Sequence, residues 1–152
     1  MHSVLVQEKD FLVQDEWIAC RERLEGKAGA VVSFIGLVRE RSDTGNVSSL
    51  YLEHYPGMTE ASIERIVVKA QQRWSLLDVV VIHRIGELQP EDQIVLVIVA
   101  SAHRADAFAA CEFVMDLLKT EAVFWKKETG DEESVWIEST LEDVNRSQEW
   151  QE

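Results

Sequence analysis

The sequence predicts an α+β fold: a largely antiparallel sheet with two main packed helices, in a single domain spanning residues 1–152. Three observations predict it. After a first strand and helix the apolar segments run in the order ββαββαββ. The strand pairs are joined by short polar segments of hairpin length rather than by regular helical crossovers. Two longer segments carry apolar stripes of helical period. With 46% hydrophobic residues and few Gly or Pro, the chain supports one ordinary core without disulfide or metal staples.

Each element has its own justification. "SVLVQ" reads as a short strand, and "QDEWIACRERL" places Trp17, Cys20 and Leu24 at helical spacing. "AGAVVSFIGLVRE" is β-branched and apolar, a strand ending at Arg39 to Arg41. "SDTGN" is a polar turn, and "VSSLYLEHY" alternates Leu50, Leu52 and His54 against Tyr51, Glu53 and Tyr55, as a half-buried strand does. Pro56-Gly57 ends it. Ile63, Ile66, Val67, Ala70 and Trp74 then form a helical stripe with Thr59 as N-cap. "DVVVIHRIG" and "QIVLVIVAS", joined by "ELQPED", read as a hairpin. The next helix carries Phe108, Cys111, Met115 and Leu118 on one face. "AVFWKKE", a "TGDEE" turn and "VWIES" form a second hairpin, and from about residue 140 the chain ends in a polar, acidic, loosely held tail.

Composition excludes several function classes. The 28 acidic residues outnumber the 15 basic ones, which argues against binding to duplex nucleic acid. No apolar run approaches the ~20 residues of a membrane span, and "MHSVLVQEKD" is no signal peptide. Cys20 and Cys111 match no metal or redox spacing and read as reduced core residues of a cytoplasmic protein. No metal set and no nucleophile elbow emerges, so neither a metal nor another cofactor is expected.

Against that acidic background "KTEAVFWKKE" (119–128) gathers Lys119, Lys126 and Lys127 around Phe124 and Trp125. Other basic side chains stand at element ends: Arg39 and Arg41 after a strand, His103 and Arg104 opening a helix. Two cations in a first helical turn work against the dipole, a misfit that makes sense if the turn holds an anion such as a phosphate. Exposed surface cations are the plain alternative. Lys119 has a plain reading too, since a last-turn Lys is favoured by the dipole alone. Trp125 reads as core, and His54 and His83 read as packing or interface residues rather than catalysts.

With those residues in view, "GLVRE" (36–40), "LEHYPGMTE" (52–60), "VIHRIGEL" (81–88), "SAHRADAF" (101–108) and "LKTEAVFWKKE" (118–128) together resemble the catalytic, large subunit of molybdopterin synthase. The match is collinear over roughly residues 28 to 138. The resemblance implies an α/β-hammerhead fold and a sulfurtransferase of molybdenum cofactor biosynthesis. Its members convert cyclic pyranopterin monophosphate to molybdopterin by adding two sulfurs. The sulfur arrives as a thiocarboxylate on the C-terminal Gly-Gly of a small ubiquitin-like subunit. The implied assembly is a homodimer of large subunits with a small subunit at each end, a heterotetramer.

Carried over by position, the resemblance implies Lys119 and Lys126 as catalytic lysines. It implies substrate contacts from Leu37, Val38 and Arg39, from His103 and Arg104, and from Lys119, Lys126, Lys127 and Glu128. Two positions depart from the pattern: Val123 stands where Pro is frequent, and Glu121 where a basic residue is common. Clustering with other cations and burial beside Phe124 and Trp125 would lower a lysine pKa from its free value of about 10.4, making the amine a proton carrier or a nucleophile. Lys119 is the residue expected to take the covalent or acid–base step. If the helix from Arg104 to Lys119 is unbroken, its ends lie about 22 Å apart, at ~1.5 Å per residue. That exceeds the length of a pterin monophosphate, so His103 and Arg104 are expected to serve the Lys119 of a second chain. The alternative to an enzyme is a non-catalytic phosphate- or pterin-binding regulatory module, which would need the helix-opening pair but not the two lysines.

Overall fold

The structure is a computed structural model and describes residues 1–42, 45–130, 134–137 and 141–151. Its elements are β1 (His2–Gln7), α1 (Val13–Arg23), β2 (Ala30–Leu37), β3 (Arg41–Ser42), β4 (Gly45–His54), α2 (Met58–Arg73), β5 (Leu76–Arg84), β6 (Gly86–Leu88), β7 (Gln93–Ser101), α3 (Arg104–Leu118), β8 (Phe124–Gly130), β9 (Ser134–Ile137) and α4 (Leu141–Gln148). This is the expected α+β class. Residues 43–44 of the first expected turn and 131–133 of the second lie outside the described residues.

One sheet has the order β1-β5-β7-β2, antiparallel except where β1 runs parallel to β5. β5 and β7 are buried on both faces, which is why their sequences are continuous apolar runs rather than alternations. Val79, Val81, Val95, Val97 and Val99 face α2 and α3 in the main core. Val80, Ile82, Leu96, Ile98 and Ala100 face Phe11, Cys20 and Leu24 on the other side. Cys20 and Cys111 are both free, buried thiols.

The other sheet runs β3-β4-β8-β9, with β6 paired to β4. β6 went unread in the sequence: it takes its residues from the end of "DVVVIHRIG" and the start of "ELQPED", and three residues are too few to show a period. Gly86, at φ +87°, turns the chain out of β5 and into the second sheet within two residues, a conformation other residues rarely hold.

Two local expectations are corrected. Gly57, at φ +85°, caps α2, and its N–H donates to the Glu60 carboxylate (3.0 Å). Thr59 is instead buried in the first turn, where its hydroxyl accepts from Tyr55 N–H (2.9 Å) and donates to Val123 C=O (2.6 Å). A tertiary bond has claimed the hydroxyl that capping would use. In α3 the buried stripe is Ala107, Ala110, Cys111, Val114, Leu117 and Leu118, while Phe108 points outward, 61% exposed.

The tail makes specific contacts in place of the loose attachment expected. Asp116 of α3 accepts from Arg146 Nε (2.9 Å) and from Trp150 Nε1 (2.7 Å), and its carbonyl accepts from Ser147 Oγ (2.8 Å). The Trp150 ring packs edge-on against Trp74 and Phe113. Aromatic anchors spaced this far from the main elements leave no periodic signal, so composition alone misjudged the segment.

Candidate active site

The antiparallel register of β4 and β8 sets Lys126 opposite Leu52 and Glu128 opposite Leu50. Strand alternation therefore puts Phe124, Lys126 and Glu128 on the inner face with the buried Leu52, and Trp125 and Lys127 on the outer face with Tyr51 and Glu53. Trp125 is 51% exposed and meets Tyr55 edge-on, so it is neither core nor the group that dries Lys126. Phe124 has that place. It packs on the main core and stacks on His83 with ring centroids 4.1 Å apart.

Lys119 is the C-cap of α3, directly after its last helical residue, and stands exposed. The charges of Lys119, at the end of α3, and of Lys126, on β8, both act on His83 of β5. Desolvation first, and Lys119 second, lower the pKa of Lys126 to about 8, while Asp143 of α4 and Glu128 act in the opposite sense. Burial lowers the pKa of His83 to about 3, assisted by the two lysines. The His83 ring is thus a neutral imidazole whose Nδ1 lies 2.8 Å from the Arg84 carbonyl.

The end of β2 approaches from the side. Val38 is buried with Leu52 and Leu88 in a small core of its own, which ties the 37–39 stretch to the Leu52–Lys126 rung. Leu37 and Arg39 flank it as exposed residues. His103 and Arg104 stand elsewhere. His103 is the N-cap of α3 and Arg104 its first residue, both exposed, and the helix is unbroken to Leu118. At ~1.5 Å per residue its two ends are about 22 Å apart. One chain brings Lys119, Lys126, His83 and Glu128 together but leaves the helix-opening pair at the far end. Among the described residues no group of His, Cys, Asp and Glu is arranged to hold a metal, and no helix is long and apolar enough to cross a membrane.

The family model described as MoaE protein matches residues 6–121. The chain belongs to the MoaE family. It is 54% identical over 150 residues to the molybdopterin synthase catalytic subunit of Vibrio cholerae, covering 99% of both chains. Its fold matches a solved molybdopterin biosynthesis MoaE protein from Burkholderia ambifaria with a TM-score of 0.84 at 44% identity, covering all of both chains. Molybdopterin synthase from Staphylococcus aureus, also solved, matches with a TM-score of 0.77 at 30% identity, over 88% of this chain and 94% of that one.

Within this MoaE chain the departure at Val123 has a structural reading. Its N–H donates to Ser62 Oγ (3.0 Å) and its C=O accepts from Thr59, so the entry into β8 hangs on the first turn of α2. A proline there would lack the N–H. Glu121 pairs with Lys69 at 3.0 Å, which accounts for an acid at this edge. His83 is the residue that sequence reasoning passed over. Alternation along "DVVVIHR" placed it on the core face with Val79 and Val81, but nothing in the sequence showed that β8 would lay Phe124 and Lys126 beside it.

Proposed function

We propose that the chain is the catalytic subunit of a cytoplasmic molybdopterin synthase, a sulfurtransferase. It moves two sulfurs from the C-terminal thiocarboxylate of a small ubiquitin-like subunit to cyclic pyranopterin monophosphate, forming the molybdopterin dithiolene. The observation that carries this reading is the Lys119–Lys126 pair beside a neutral His83, in a chain whose net charge is −13. An amine with a pKa of about 8 gives up and takes back a proton close to neutral pH, where an ordinary lysine is locked as ammonium.

Lys126 is the proton-handling amine, partly buried and flanked by Glu128. Lys119, exposed at the helix end, is placed to meet the acyl end of the small subunit's tail. Positive charge from both, and from Arg39, stabilises the thiolate and enolate-like charge that develops during sulfur addition. Leu37 and Val38 give the substrate an apolar edge, and Lys127 adds positive charge on the outer face of β8. His103 and Arg104 bind phosphate at the opening of α3, where the helix dipole and free N–H groups favour an anion. Since α3 separates them from Lys119 by its full length, they serve the site of the second large subunit in a homodimer.

The test is incubation with the pyranopterin and a thiocarboxylated small subunit, with formation of the dithiolene followed by its fluorescent oxidation product. Dithiolene is expected only when all three components are present. Binding of the pyranopterin without any product would refute the enzyme and leave a phosphate-binding module.

A further inference from the structure

The polar tail is fastened at the Lys119 end of α3, and the fastening solves a local problem of that helix. A helix that ran on would give the Thr120 N–H to the Asp116 carbonyl. Here that N–H turns to the Leu117 carbonyl (3.2 Å), and the Glu121 N–H goes there too (2.7 Å). The Asp116 carbonyl is left over, as carbonyls at a helix end are. Ser147 of α4 supplies the missing donor: its Oγ lies 2.8 Å from that carbonyl, against 3.5 Å for the Thr120 hydroxyl. Ser147 has one hydroxyl proton and gives it there, so the Thr120 hydroxyl donates to Ser147 Oγ at 2.6 Å. Ser147 and Asp116 are both buried. The Asp116 carboxylate is engaged as well, by Arg146 Nε (2.9 Å) and Trp150 Nε1 (2.7 Å). Trp150 is held in turn by Arg73 at the end of α2, whose guanidinium lies 5.5 Å over its ring and donates to its carbonyl.

We propose that α4 is a latch that sets the aim of Lys119: Ser147 and Thr120 fix the backbone on either side of it and are positioning residues for its amine. The hold falls three residues before Lys119, at Asp116, and one residue after it, at Thr120. Helix ends that lack such partners fray and open locally. Lys119 is itself exposed, on a flexible four-carbon stem. A backbone that moved as well would leave the amine without a defined place, and a misplacement of about an ångström costs about 100-fold in rate. A cap drawn from α3 alone would close the helix equally well. Taking the donor from α4 makes the geometry at Lys119 depend on the docked tail, although the tail supplies none of the proposed substrate contacts.

This role rests on the proposed reaction, so the experiment has one readout that needs no turnover. Ser147→Ala removes the centre of the hydroxyl relay. Thr120→Val keeps the shape of the side chain without its hydroxyl, and Thr120→Ser keeps the hydroxyl. Val80→Ala, in the core on the far side of the first sheet, is a control that loses stability away from α3. The first readout is amide hydrogen exchange of residues 117–121 against the buried middle of α3, followed by mass spectrometry. The second is kcat and KM for dithiolene formation, with thermal unfolding to report the fold. Ser147→Ala should speed exchange at 117–121 about tenfold or more, with the middle of α3 as in wild type. Its kcat should fall about tenfold or more with KM within about twofold. Thr120→Val should move both readouts the same way by about threefold or more, and the double variant should be no worse than Ser147→Ala, since both break one relay. Thr120→Ser should match wild type, and Val80→Ala should keep wild-type kcat at a lowered Tm. Should Ser147→Ala not fold, Thr120→Val decides with its own expectations. Wild-type exchange at 117–121 in Ser147→Ala would overturn the latch, and faster exchange with wild-type kcat would overturn its part in aiming Lys119. So would a kcat in Val80→Ala as low as in Ser147→Ala, because lost stability alone would then explain the effect. If wild type itself formed no dithiolene, the proposed reaction would fall, and the exchange readout would still decide whether α4 fixes the segment around Lys119.

Discussion

Replacing Lys126 by Met should make the protein more stable and inactive at once. In the folded chain burial and Lys119 lower the pKa of Lys126 from 10.5 to about 8. At pH 7 the side chain is still charged in both states, so folding carries the cost of burying that charge. The difference, 10.5 − 8 = 2.5 units, corresponds to about 3 kcal/mol at ~1.36 kcal/mol per unit. Lys126 keeps some contact with solvent, which lowers the expected gain to ~1–3 kcal/mol. The sign follows from proton counts. Between pH 8 and pH 10.5 the unfolded chain holds a proton that the folded chain has released, so stability due to Lys126 rises with pH across that window. Below pH 8 it is flat, with the full cost present. Met fills the volume of the lysine stem without a charge. Lys126→Met should raise Tm at pH 7 by ~3–10 °C for a domain of this size. The gain should shrink toward pH 10.5, and dithiolene formation should fall by about 100-fold or more. Paired pH-resolved melts and turnover assays check it. An unchanged or lower Tm at pH 7 would refute the burial argument, whatever happened to activity.

Lys119→Ala should abolish product formation while changing stability by no more than about 1 kcal/mol, the size of an exposed helix-end lysine's interaction with the dipole; turnover and urea unfolding together check both halves. Arg104→Ala should raise KM for the phosphorylated substrate more than for its dephosphorylated form, which a comparison of the two substrates measures. Mixing Lys119→Ala with Arg104→Ala under subunit exchange, at a substrate concentration too low for the Arg104→Ala dimer to turn over, should restore about half of wild-type activity per mixed dimer, since one site regains both residues; demonstrated exchange without activity would show that the site is not shared. Val123→Pro should lower Tm by ~2–6 °C through loss of the N–H bond to Ser62, and Ser62→Ala should add little in that background.

Much of the framework could be read from residue pattern. The unbroken apolar runs of β5 and β7 signalled strands buried on both faces, and the stripe from Ile63 to Trp74 gave α2. What failed was decided at long range. Thr59 is an ordinary capping residue until Val123, 64 positions away, offers its carbonyl. Trp125 reads as core until the β4–β8 register turns it outward beside Tyr55. The lysine cluster stood out from the residues themselves, but the catalytic roles of Lys119 and Lys126 came from the resemblance. Burial beside Phe124 was anticipated correctly, but the second dry neighbour is His83 and not Trp125. No local rule pairs position 83 with 124, because that contact exists only once the two sheets have met.

That meeting has a consequence for how the enzyme should fail. His83 belongs to the first sheet and Lys126 to the second, and the chain passes between the sheets at Gly86, three residues beyond His83. The site therefore straddles a seam. A slip of one sheet against the other by about an ångström would shift Lys126 against His83 while leaving every strand intact, and catalytic geometry tolerates little more than half of that. Turnover acts as a gauge of sheet alignment, more sensitive than any measure of secondary structure. Under rising urea, activity should decay well before the circular dichroism transition begins, and an added substrate analogue that grips both sheets should draw the two curves together.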